Sequence, residues 1–181
     1  MLFNSLHLQW EQLVPVHTSF NYDKNGKLSA KALSLLGAFF PIEVHVPLQI
    51  AAAMAKAGQT VPNRISGIGL IDTGATLTCI DETILLSLGL NPIGQVNSVT
   101  ANGPMLCNVY PARILFPVQG WTLDLGQSMG VNLKGQAIPT DPPQPIIALL
   151  GRNLLERSVL IYNGITGLWT ITLELNPPPS T

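Results

Sequence analysis

Leu70-Ile71-Asp72-Thr73-Gly74-Ala75-Thr76 is the stretch on which the reading of this chain turns. It closes an apolar run, Ile65 to Ile71, that reads as a largely buried strand. A carboxylate at the mouth of such a strand is costly unless hydrogen bonds or a shared proton offset its charge. Gly74 allows close backbone approach, and Thr73 adds a hydroxyl that can brace the loop. Taken alone, the same three residues also suit an ordinary turn in which the Asp side chain bonds its own backbone. The rest of the chain decides between the two.

Upstream, Ile42, Val44 and Val46 alternate with Glu43 and His45, the period-two mark of a half-buried strand. Pro47 then opens an alanine-rich run closed by Gly58, which suits a short helix. Downstream, Leu77 to Ile80 reads as a strand, and Asp81 caps a helix over Glu82 to Leu88 that Gly89 ends. Val96 to Tyr110 carries Asn102-Gly103-Pro104 between two strand-like arms, a hairpin. Arg113 to Val118 and Trp121 to Leu125 supply further strands. After the proline-rich loop from Asp141 to Pro145, Ile146 to Leu150 forms another, stopped by Gly151, and Asn153 to Arg157 has room for a helical turn. Trp169, Ile171, Leu173 and Leu175 alternate with polar residues in a last strand that Pro177-Pro178-Pro179 terminates. Leu28 to Phe40 has no clean period and fits a short helix or an edge strand. Short strands at close spacing with one or two short helices predict a mainly β domain over residues 41–176. An N-terminal extension (1–40) and a proline-rich tail (177–181) flank it.

Bulk composition narrows the function. Charged residues make up 10% of the chain against roughly 25% in ordinary soluble proteins, which points to surface covered by a partner. A net charge of −1 and the lack of a basic stripe exclude a nucleic-acid partner from the expectation. Apolar stretches are all interrupted well short of a bilayer span, so no membrane association is expected. Met1 to His7 lacks the pattern of a secretory signal, and a cytoplasmic location is the expectation. Cys79 and Cys107 suit reduced, packed thiols. His7, His17 and His45 have no metal-ligand spacing, and no Gly-x-Ser-x-Gly elbow is present.

Two segments together resemble the retroviral-type (retropepsin-like) aspartic proteases. One is Leu70 to Thr76; the other is Leu149-Leu150-Gly151-Arg152-Asn153-Leu154-Leu155, an apolar pair and glycine entering a short helix. The resemblance spans roughly Pro41 to Leu175 and implies a closed, β-barrel-like acid-protease fold that hydrolyses peptide bonds without a metal or organic cofactor. By that resemblance Asp72 is the catalytic aspartate, Thr73 braces the opposite loop across a homodimer, and Gly74 offers its carbonyl to the substrate backbone. Ala75, Thr76, Leu149 and Leu150 fall where the family contacts its peptide or protein substrate. Val99, Thr100, Ala101, Asn102 and Gly103 fall in its closing flap, and Trp169 to Leu175 where terminal strands join subunits. Three departures stand out. The flap tip has one glycine, Gly103; Thr76 replaces an aspartate that in several viral members pairs with the arginine matching Arg152; and residues 1–40 have no counterpart in the minimal viral enzymes.

A single Asp-Thr-Gly explains the need for a dimer. Two carboxylates about 4 Å apart repel by roughly 4 kcal/mol at an effective dielectric near 20, so the pair keeps one proton over a wide pH range. The ionised member can then take a proton from water while the protonated member polarises the scissile carbonyl. One carboxylate cannot do both. Two rivals remain: a catalytically silent module of the same fold that dimerises or binds peptides, and a phosphorylated-aspartate enzyme. The second needs a lysine and a magnesium loop of the Gly-Asp-Gly type, and no such loop follows Asp72.

Overall fold

The computed structural model describes residues 16–20, 29–100 and 103–173. In chain order its elements are β1 (Val16–Phe20), α1 (Ala30–Leu36), β2 (Phe39–His45), α2 (Leu48–Lys56), β3 (Ile65–Ile71), β4 (Cys79–Asp81), α3 (Glu82–Ser87), β5 (Gly94–Thr100), β6 (Gly103–Phe116), β7 (Trp121–Val131), β8 (Ala137–Ile138), β9 (Gln144–Leu150), α4 (Arg152–Leu155), β10 (Ser158–Asn163) and β11 (Leu168–Leu173). Strands β2, β3, β9, β4, β7 and β6 pair in that order, and β6 pairs back onto β2. The result is a closed six-stranded barrel, the mainly β architecture that the sequence predicts. Helices α2 and α3 are the two anticipated, α4 is the expected helical turn, and α1 makes a short helix of most of the stretch from Leu28 to Phe40 that fitted either helix or edge strand.

Alternation builds the barrel core. β2 buries Ile42 and Val44 and leaves Glu43 and His45 on the wetter face, where His45 and Arg64 each lie 3.3 Å from the Glu43 carboxylate. Phe40, Ile80, Tyr110, Ile114, Phe116 and Leu150 join the buried set from the other walls. In β3, Gly67 and Gly69 serve close packing: a Cβ on Gly67 would meet Ile147 Cγ2 at 2.6 Å. That closeness seats β3 beside β9 in a parallel pair, with Leu70 opposite Leu149 and Ile71 opposite Leu150.

A second sheet, ordered β1-β11-β10, covers one side of the core. Trp169 and Ile171 are fully buried, and the Trp169 ring meets Phe40 edge-on at 4.8 Å. Packing reaches back before Pro41, since Leu33 on α1 and Ala38 are also buried. The role inferred for Trp169 to Leu175 changes here. β11 is paired on both sides and spends its apolar face on its own core, so its described residues have no free edge for another subunit. Residues 174 and 175 lie outside the described residues.

His17 on β1 lies against this aromatic cluster, 5.1 Å from Phe40 and 5.3 Å from Trp169 between ring centroids. Gln119 Nε2 donates to its Nδ1 at 2.9 Å, and burial lowers its pKa from 6.5. A depressed folded-state pKa favours the neutral ring. Its stabilisation is therefore present above the unfolded value near 6.5 and lost as pH falls through the folded value. Asp81 loses stabilisation in acid as well, so the native chain alone cannot isolate the histidine. The urea midpoint should fall more between neutral and mildly acidic pH in the native chain than in His17→Phe; parallel falls would acquit His17.

Candidate active site

β3 and β9 end side by side, which sets Asp72 and Gly151 next to each other as the first residues beyond a parallel pair. The Asp72 N–H donates to Leu150 O at 3.0 Å, and the Ala75 N–H donates to Asp72 O at 3.2 Å. The Gly74 N–H donates to the Asp72 carboxylate at 2.9 Å, which fixes the side chain within the turn. The loop is thus a turn in which the Asp side chain bonds its own backbone.

The start of α4 clamps that loop. Backbone N–H groups of Arg152 and Asn153 donate to Ala75 O and Thr76 O at 2.9 and 3.1 Å. The Arg152 guanidinium donates to Thr73 O at 2.8 Å, Gly74 O at 3.1 Å and Thr76 Oγ1 at 2.8 Å. Thr76 is therefore a neutral acceptor, and two carbonyls complete the arginine's contacts. Asn153 Oδ1 accepts from the Thr78 N–H at 2.7 Å and from the Thr78 hydroxyl at 2.9 Å, while its amide donates to Gln127 O. The Gly151 N–H returns a bond to Thr78 Oγ1 at 3.1 Å. Held this way, Thr76 and Leu77 stay in the loop, so the strand expected from Leu77 begins at Cys79 instead.

Above the loop, a cleft of about 1130 Å³ lies beneath the β5–β6 hairpin. Asp72, Gly74, Ala75, Thr76, Gly103 and Leu149 all line it, so six of the residues anticipated from sequence meet at one place. Asp72 is the only charged side chain among its described lining residues. Thr73 is exposed in the same loop. Leu150 does not line the cleft: it is fully buried in the barrel core and supports the loop from beneath. Val99 and Thr100 are placed by backbone pairing with Pro104 and Gly103. Ala101 and Asn102 lie outside the described residues.

Sequence reading did not single out Met129, Val131 and Leu133, which form the far wall. Leu133 is held there by Asp81, whose carboxylate accepts its N–H at 2.9 Å. Burial pushes the Asp81 carboxyl up, but bonds from Thr83 and Leu133 more than offset this and hold it below the usual range. Cys79, Cys107 and Met129 pack as one sulfur-rich cluster under the cleft. Burial, then the nearby Asp72 and Cys107, push the Cys79 thiol up to about 11. It is a protonated apolar filler near neutral pH and no nucleophile.

The hairpin is tied to α3 at its root. Glu82 Oε1 accepts from Tyr110 OH at 2.7 Å and Asn108 Nδ2 at 2.8 Å, and Gln95 Nε2 donates to Asn108 Oδ1 at 2.9 Å. Cutting the shared acceptor with Glu82→Ala should cost about 1–3 kcal/mol by leaving half-buried donors unpaired. Amide exchange across Gln95–Cys107 should quicken, while Glu82→Gln, which keeps one oxygen, stays closer to the native chain. Unchanged exchange in the alanine variant would show that the hairpin does not depend on this anchor.

No protein-family model matches the chain, and no curated protein matches it. Among solved structures, the solution structure of Simian Foamy Virus (mac) protease is similar at a TM-score of 0.35 and 20% identity, covering 64% of this chain and 91% of that one.

Proposed function

We propose that this chain is a homodimeric aspartic endopeptidase in which two Asp72 carboxylates, one per subunit, activate a water molecule against a peptide bond. One observation carries the reading: a single acid, fixed by the Gly74 N–H, is the only charge among the described residues lining a cleft roofed by a hairpin. Two carboxylates sharing a proton is the arrangement of aspartic proteases in general. The exposed Thr73 beside each acid is free to meet its counterpart. This loop and the apolar residues Val159 and Ile161 exposed on β10 offer surface for contact between subunits. Activity should be greatest in acidic to mildly acidic solution, and a flat profile up to about pH 9 would contradict a proton-sharing pair.

The test is subunit mixing. Native chain and Asp72→Asn chain are exchanged in varying proportion at constant total concentration, and cleavage of a peptide library is followed. A site built from two subunits loses activity as the square of the native fraction, to about one quarter at equal mixing. A linear fall to about one half would place the whole site in one subunit. No cleavage at any ratio would favour the catalytically silent module.

A further inference from the structure

The Arg152 clamp leaves a charge unspent. Among the described residues no carboxylate lies within ion-pair distance of its guanidinium; the ion pairs present involve Glu43 and Asp124. Glu156, one helical turn further on, is not paired with it either. The contacts made by Arg152 go to two carbonyls and one hydroxyl, all neutral. A guanidinium has five N–H donors, and three are used here, so the Nε hydrogen and one Nη2 hydrogen remain. The side chain is exposed. Two of its three acceptors, Gly74 and Thr76, line the cleft. A positive charge with free donors therefore sits against two residues that line the groove, and Asp72 is the only charged side chain among the groove's described lining residues.

From this juxtaposition we infer that Arg152 selects substrates by a carboxylate side chain. Four residue steps from Asp72 to Thr76 span at most about 14 Å, so the acidic residue lies within about four positions of the scissile bond. This rests on the endopeptidase reading and deepens it. Two-fold symmetry puts one guanidinium at each end of the groove, so the preference appears on both sides of the cleaved bond.

The experiment uses a neutral parent peptide and its variants carrying Asp, Asn or Lys at each of the four positions on either side. At the responsive position, Asp should exceed Asn by about tenfold in kcat/KM, the scale of a charge-assisted hydrogen bond. The gain should sit mainly in KM and shrink as salt is raised. Thr76→Asp supplies an internal partner for Arg152 while keeping the clamp, and the Asp-to-Asn ratio should fall toward one. Equilibrium binding of the same peptides to Asp72→Asn reads the preference without turnover. Preferential binding without any cleavage by the native chain would defeat the protease reading and leave the Arg152 inference standing. An Asp-to-Asn ratio near one at every position, in both cleavage and binding, overturns the inference.

Discussion

Asp72→Asn should fold like the native chain and cleave peptides at least about 10³-fold more slowly, the loss expected when an acid–base group in the reacting position is removed. Asparagine matches aspartate in shape and keeps an oxygen able to accept the Gly74 N–H, so the turn at 2.9 Å has no reason to open. The variant cannot take a proton from water. Thermal unfolding and sedimentation measured beside initial rates separate loss of chemistry from loss of structure. Native rates of cleavage by the mutant would end the assignment of Asp72, whatever the fold.

Gly151→Ala should be the most damaging small change to the folded chain. Gly151 has φ −83° and ψ −179°, extended backbone open to any residue, so conformational strain is not the cause. The cost is steric: a Cβ there would lie 2.5 Å from Leu77 C, 2.6 Å from Leu77 O and 2.7 Å from Thr78 N. These are backbone atoms and cannot rotate aside. The loop and α4 must separate, breaking the bonds among Gly151, Thr78 and Asn153. A destabilisation of about 3 kcal/mol is expected, with peptide cleavage down about 10²-fold as Asp72 is displaced. Gly126→Ala is the control: nothing lies within 4 Å of a Cβ there, and its stability should hold or rise slightly. Equal unfolding temperatures for the two variants would refute the steric account.

How much of this was legible in the sequence depended on whether a segment's pattern was periodic. β2 and β11 alternate cleanly, and their buried faces match the reading residue for residue at Ile42, Val44, Trp169 and Ile171. β7 extends to Val131, six residues past the expected Leu125, because Gly126, Gln127 and Gly130 interrupt the apolar rhythm. Gly130 is there for close approach, since a Cβ would meet the Tyr110 ring at 2.8 Å. The far wall of the cleft was hidden for that reason. α1 was unreadable because it buries only Leu33 and gives no stripe. Within the site, motif residues were found because their types are distinctive. Thr78 and Asn153 were missed because a hydrogen-bond clamp leaves no mark of period or spacing; only the adjacency of β3 and β9 reveals it.

The neutral acceptors around Arg152 have a bearing on endurance in acid. A carboxylate in the place of Thr76 would be a proton-sensitive latch, surrendering its grip as the solution sours. Carbonyl and hydroxyl oxygens do not titrate there, so the rim of the groove should keep its form in the medium where a proton-sharing pair works best. Neutral acceptors thus make the rigidity of the loop independent of the acidity that the proposed chemistry requires.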